Sequence, residues 1–185
     1  MGSNIHSERL DLVPLVPGFL RAVLEHDLAE AERILGLSIP SELLDASHIL
    51  SLRLRQLEAD PVLQSWLLRA MVLRERRLMI GHIGFHTAPA PEYLHSLAPG
   101  AVEFGFTVYP AFRRQGYARE ASKALMRWAH RGHGITRFVL TIRPDNIPSQ
   151  TLAAGLGFVR IGSHVDEEDG PEDIFGLRLC NDNVA

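Results

Sequence analysis

The chain has 185 residues, 46% of them hydrophobic and 22% charged, with a net charge of -3. That length fits one domain, 1–185, able to bury a core without staples, and a single cysteine, Cys180, excludes a disulfide framework and any Cys-based zinc finger. The balance of charge advertises no nucleic acid, and no apolar run reaches membrane-spanning length. A reducing, cytoplasmic home is the simplest expectation. Residues 1–7 have neither the basic start nor the apolar core of a signal peptide and are expected to be flexible. Lys123 is the one lysine among 19 basic residues, which leaves arginine as the anion-binding side chain.

Glu8 to Leu15 alternates as a first strand, closed by Pro14 and Pro17. Phe19 to Leu35 has helical spacing, broken near Asp27, which caps the run LAEAERIL; Gly36 and Pro40 end it. Ser47 to Glu58 sets Leu50, Leu54 and Leu57 on one helical stripe that Asp60-Pro61 stops. Ser65 to Arg74 and Arg77 to Thr87 form a β-hairpin, and residues 88–100, rich in proline, form a surface loop. Ala101 to Tyr109 alternates: Val102, Phe104, Phe106 and Val108 face one way, Glu103, Gly105, Thr107 and Tyr109 the other. Gln115 to Arg131 is a helix, 136–143 a strand, 149–156 a short helix, 158–165 a strand and 174–180 a last strand. The sum is a mixed α/β domain.

The segment Arg113-Arg114-Gln115-Gly116-Tyr117-Ala118 lies between a strand and a long helix. Small residues let the backbone come close to a ligand there, and the helix start offers unpaired N–H groups. Arg113, Arg114 and Arg119 add charge suited to phosphate. A capped helix with solvated arginines satisfies the same spacing. Other nucleotide motifs fail: there is no P-loop lysine, Gly132-His133-Gly134 meets Arg137 where a third glycine belongs, and Gly155-Leu156-Gly157 runs into Arg160. No Gly-x-Ser-x-Gly elbow is present.

Arg113-x-x-Gly116-x-Ala118 after strand 101–109 resembles the acetyl-CoA pyrophosphate loop of the GNAT superfamily of N-acyltransferases. Asn146-Ile-Pro-Ser149, followed by Leu156-Gly157-Phe158, is similar to its RimJ/RimL-like branch, as is the opening Glu8-Arg9-Leu10-Asp11-Leu12. These matches run from residue 8 to 180 in the right order. The resemblance implies a mixed, mostly antiparallel central sheet flanked by helices, whose central strands, 101–109 and 136–143, splay apart to admit acetyl-CoA. The backbone of Phe106, Thr107 and Val108 would pair with the pantetheine arm. Backbone N–H groups of Gln115, Gly116, Tyr117, Ala118 and Arg119 would hold the pyrophosphate, and Asn146 would bond the pantetheine region.

The implied reaction moves acetyl from CoA sulfur to an amine, which requires alignment, proton removal and care of the leaving thiolate. Glu103 is the candidate base, against the alternative of a half-exposed strand glutamate. Many family members carry a tyrosine acid where this chain has Ala153. That leaves Ser149 as the nearby hydroxyl, which serves equally well as a plain N-cap of its helix.

His82 and His86 share a strand face, and His130 and His133 straddle a helix end; neither pair has the neighbours of a metal site, so no metal is expected. His82 or His86 could reach the acceptor pocket, and Tyr109 could line it. Asp166 to Asp173 carries six carboxylates in eight positions, either a solvated hairpin tip or a negative rim that favours cationic acceptors. The expected partner is a small-molecule or peptide amine, with a protein N-terminus favoured by the branch resemblance. A homodimer is one open assembly. A CoA-binding sensor without turnover, or transfer to oxygen or of a longer acyl chain, remains an alternative on the same fold.

Overall fold

The alternation that Leu10, Asp11 and Leu12 impose builds a strand, β2 (Leu10–Pro14), with both leucines wholly buried. The computed structural model describes residues 3–166 and 170–179. β2 pairs antiparallel with the two-residue strand β1 (Ile5–His6) on one side and with β3 (Arg69–Leu73) on the other. The N-terminal segment is therefore not loose throughout: Ile5 is buried, and buried Arg69 reaches back with Nη1 to the Ser3 carbonyl at 2.8 Å. β3 turns through residues 74–77 into β4 (Leu78–Phe85), also antiparallel.

Three helices lie between β2 and β3 in the chain. α1 (Pro17–Leu24) starts on a proline whose missing N–H costs nothing at that position. α2 (Leu28–Leu35) is capped by Asp27, whose side chain accepts from the Glu30 N–H at 2.9 Å, and is closed by Gly36 in the left-handed region at φ 64°. α3 (Ser47–Ala59) ends before Pro61. Phe19, Leu20, Leu43, Leu50, Leu57 and Leu67 form one apolar cluster with Tyr109. Each such side chain contributes about 1.5–3 kcal/mol on burial.

β5 (Val102–Val108) leads into α4 (Tyr117–His133), followed by β6 (Arg137–Ile142), α5 (Ile147–Leu156), β7 (Val159–Asp166) and β8 (Gly170–Arg178). The strand order is β1-β2-β3-β4-β5-β6-β8-β7. β5 and β6 are parallel, and β6–β8 and β7–β8 antiparallel. This is the mixed, mostly antiparallel sheet that the resemblance implies.

The packing divides into two units: the chain up to Gly84 with Phe106–Leu125, and Phe85–Gly105 with the chain from Met126 onward. The first holds the leucine-rich cluster above. The second is centred on aromatics: Phe85 meets Phe104 edge-on at 6.1 Å and stacks on Trp128 at 6.3 Å, while Phe104 meets Phe158 at 6.1 Å. β4 and β5 pass through both units, and their hydrogen bonds fall within each: Tyr109 N–H to the Ile80 carbonyl in the first, His86 N–H to the Glu103 carbonyl in the second, both 2.9 Å.

Some expectations change. The 88–100 loop contains a 3-10 turn, Glu92–Leu94, pinned by buried Leu94 against Ala101 and Val139. The last strand begins at Gly170 rather than Ile174, so Glu172 and Asp173 are strand residues rather than loop carboxylates. β5 is buried on both faces at its start, because Val102, Glu103 and Phe104 are all covered. Cys180 lies outside the described residues.

Candidate functional site

In the first unit, β5 passes through a 3-10 turn, Pro110–Phe112, into the arginine-rich loop. Arg114 and Gly116 both adopt left-handed backbone, at φ 61° and 84°. The chain thereby reverses within a few residues and opens directly into α4, whose first N–H groups have no partner earlier in the helix. Arg113, Arg114, Gln115, Gly116 and Arg119 are exposed; Tyr117 and Ala118 are half-buried. Arg113 Nε donates to the Val108 carbonyl at 2.9 Å, so the loop itself uses one of the carbonyls expected to face pantetheine.

This loop is braced from the N-terminal strand. Arg9 Nη1 donates to the Gln115 carbonyl at 3.1 Å, and its guanidinium lies 4.4 Å from the centre of the Tyr117 ring. Glu120 accepts from Ser7 Oγ at 2.6 Å and from Arg9 N and Nε, each at 2.7 Å. Partial burial raises the Glu120 carboxyl, but these donors outweigh it and hold it below its usual range. A cavity of about 440 Å³ lies beside the brace, lined by Arg9, Arg74, Phe112, Gln115 and Tyr117 among others. The sequence carries the signal of this brace in the Glu8–Leu12 motif, but nothing local pairs Arg9 with a residue 111 positions away.

The second unit holds the carboxylate. Glu103 is only 6% exposed. Its Oε2 accepts from Tyr93 Oη at 2.8 Å, and its Oε1 accepts from Thr141 Oγ1. His86 Nδ1 stands 3.5 Å from Oε1. Burial would push the Glu103 carboxyl up, yet His86, Thr141 and Tyr93 together bring it down to about 2. The half-exposed alternative for Glu103 is thus excluded, and sequence reasoning missed both Tyr93 and Thr141. Thr141 reaches Glu103 because Glu103 pairs with Val139, two residues earlier on the same face of β6. The β5–β6 pairing ends there, while Phe106, Thr107 and Val108 run on beyond it.

Ser149 is not the cap of its helix. Asn146 is, its Oδ1 accepting from the Ser149 N–H at 3.2 Å, and Gly157 closes α5 at φ 93°. Ser149 therefore sits in the first turn of α5, half-buried. Ala153 is wholly buried and offers no hydroxyl at that position.

The other histidines divide by environment. His82 is buried edge-on to Tyr109 at 6.5 Å, and burial, reinforced by the charge of Arg53, lowers it to about 4. His130 Nδ1 meets the Ile135 carbonyl at 2.9 Å and His133 packs against Trp128 at 4.5 Å, so this pair finishes α4. Of the acidic stretch, Asp173 pairs with Arg160 Nη2 at 2.7 Å and Glu172 faces His164 at 3.6 Å. Residues 167–169 lie outside the described residues, as does the side chain of Asp166. Among the described residues, no helix is long and apolar enough to cross a membrane.

Residues 9–159 match the acetyltransferase (GNAT) domain family. The uncharacterized N-acetyltransferase YnaD of Bacillus subtilis is 29% identical over 92 residues, 50% of this chain and 49% of that protein. The chain thus aligns with about half the length of that relative. Among solved structures, a ribosomal-protein-S5-alanine acetyltransferase from Vibrio fischeri superposes with a TM-score of 0.66 at 14% identity, covering 97% of this chain and 98% of that one. RimL, a ribosomal L7/L12 alpha-N-protein acetyltransferase in complex with coenzyme A, superposes with a TM-score of 0.64 at 17% identity, covering 96% and 98%. At such identity these two likenesses speak for the fold.

Proposed function

The chain belongs to the GNAT family of N-acetyltransferases, and from that premise we propose that it transfers the acetyl group of acetyl-CoA to a primary amine. Enzymes of this family use acetyl-CoA. The observation that carries the reading is the 113–119 turn, where left-handed Arg114 and Gly116 deliver the chain into the start of α4 with its arginines exposed. The pyrophosphate would lie on the backbone N–H groups from Gln115 to Arg119, with Arg113 and Arg114 supplying charge. Phe106, Thr107 and Val108 would offer backbone to pantetheine, and Asn146 its side-chain amide, alongside its capping bond.

In the reaction the amine nitrogen forms a bond to the thioester carbonyl carbon. The carbon–sulfur bond then breaks, leaving its electron pair on sulfur. Ser149, in the first turn of α5, is the hydroxyl proposed to meet that thiolate, since Ala153 supplies none. Protein or peptide N-termini are the acceptor class we favour, in keeping with what RimL acetylates. A preference for cationic acceptors is the reading we attach to the acidic stretch from Asp166 to Asp173, of which Glu172 faces His164 and Asp173 pairs with Arg160.

The test pairs calorimetric binding of acetyl-CoA with thiol release in the presence of free-amine peptides and polyamines. Binding with acetylated product supports the proposal. Binding without turnover on any amine supports the sensor alternative, which the buried Ala153 keeps in contention.

A further inference from the structure

Glu103 was the obvious base, yet its surroundings unfit it for taking a proton directly. It is buried and already accepts hydrogen bonds from Tyr93 and Thr141. With one oxygen taken by the Tyr93 hydroxyl and the other by the Thr141 hydroxyl, a buried carboxylate has little room to meet an incoming amine. What its charge can do is act on a neighbour. His86, the residue after β4, donates its backbone N–H to the Glu103 carbonyl, with Nδ1 toward the carboxylate at 3.5 Å and a side chain 37% exposed against 8% for Glu103.

The ring position is also built into the backbone. A Cβ on Gly105 would come within 2.9 Å of His86 Nε2. Gly105 thus leaves the space over β5 in which the imidazole lies. A carboxylate opposite Nδ1 favours the tautomer that carries its proton there, the arrangement in which Nε2 is the acceptor.

Resting on the acetyltransferase reading above, we propose that His86 is the proton acceptor for the substrate amine and that Glu103 is a positioning residue acting through it. His86 Nε2 takes one proton from the acceptor ammonium. The freed nitrogen lone pair forms the bond to the acetyl carbonyl carbon. The carbon–sulfur bond breaks, and the second proton lost from nitrogen neutralises the CoA thiolate. Products are the amide and CoA thiol, with the first proton passing from His86 to solvent. Tyr93, itself titratable, and the uncharged hydroxyl of Thr141 on β6 also face the Glu103 carboxylate.

The experiment measures kcat, KM and the pH profile of thiol release from acetyl-CoA with a short free-amine peptide, for wild type, His86→Gln, His86→Ala and Glu103→Gln. The expected result is a loss of about 100-fold in kcat for His86→Gln, with its acidic limb abolished and acetyl-CoA affinity kept. Glu103→Gln loses less, about 10-fold, and retains the limb. Added imidazole restores part of the activity of His86→Ala, which a merely structural role would not allow. If Glu103→Gln abolishes the limb while His86→Gln keeps it, the assignment is overturned in favour of Glu103 itself. Wild type that acetylates no amine overturns the function reading, and this inference with it.

Discussion

Glu120 grips Arg9 twice, its Oε1 accepting the backbone N–H and its Oε2 the Nε of the side chain, each at 2.7 Å. The same guanidinium reaches the Gln115 carbonyl and covers Tyr117. One arginine near the N-terminus therefore fixes both the turn before α4 and its first residue. Charge-assisted hydrogen bonds contribute about 1.5–3 kcal/mol when sheltered. Arg9 is nearly half exposed, so screening reduces that, and Glu120→Gln should cost about 1 kcal/mol of stability. Its effect on the loop should be larger than its effect on the fold. We expect acetyl-CoA affinity to fall about 5–10-fold for Glu120→Gln and for Arg9→Ala, measured by calorimetry. Unchanged affinity in both would show that the loop keeps its shape unaided.

Gly116 makes a sharper test of the same loop. Its φ of 84° disfavours any side chain, and an added Cβ would lie 3.4 Å from Arg9 Nη2. Backbone strain of about 1–2 kcal/mol follows for a residue with a Cβ, more for a β-branched one. Gly116→Val should weaken acetyl-CoA binding at least 10-fold while circular dichroism stays native. Native affinity in that variant would remove the pyrophosphate from this turn.

Ser149 can be separated from capping because Asn146 performs that task. Ser149→Ala leaves the bond from its own backbone N–H to Asn146 Oδ1 intact. Helix stability should therefore change by less than about 0.5 kcal/mol. If the hydroxyl meets the thiolate, kcat should fall about 10-fold with acetyl-CoA affinity kept. Full turnover would leave Ser149 without a part in the reaction.

How far the sequence spoke depends on the range of the interaction. Asp27 and Gly36 mark both ends of α2 because capping is a matter of a few residues, and the Gly116 turn is legible for the same reason. Ser149 misled because α5 begins earlier than its own hydroxyl suggests: Asn146, three residues before it, is the cap and accepts the Ser149 N–H. Glu103 misled differently. Alternation within β5 placed its face correctly, but its burial comes from Thr141 on a strand 38 residues away and from Tyr93 in a loop with no periodicity. Likewise nothing near Ile5 announces that it pairs with Leu12, since a two-residue strand has no pattern of its own.

Buried His82 makes stability depend on pH. Its folded value, lowered to about 4, lies below the ordinary 6.5 of the unfolded chain, so the unfolded state takes up the proton first. Its contribution is complete above about 6.5 and is lost as pH falls from there toward 4. The full span is worth about 3 kcal/mol. Denaturant unfolding at pH 7.5 and pH 5 should show the loss in wild type and a flatter dependence in His82→Phe. Equal slopes in the two proteins would mean that other groups set the acid response.

Gly105 tests the imidazole position without replacing a titratable group. Its backbone is not in the left-handed region, so alanine is conformationally acceptable and restricts the unfolded chain, a gain of about 0.4–1 kcal/mol. Against that stands the new Cβ at 2.9 Å from His86 Nε2, too close for the ring to stay where it is. A side-chain tip can swing aside, so the fold should absorb the change within about 1 kcal/mol. The ring, however, leaves its place opposite Glu103, where Nδ1 and Oε1 are 3.5 Å apart. Gly105→Ala should therefore keep its melting temperature within a few degrees of wild type and bind acetyl-CoA normally, yet lose about 10-fold or more in kcat. A variant that is stable and fully active would mean that proton removal does not depend on where His86 stands.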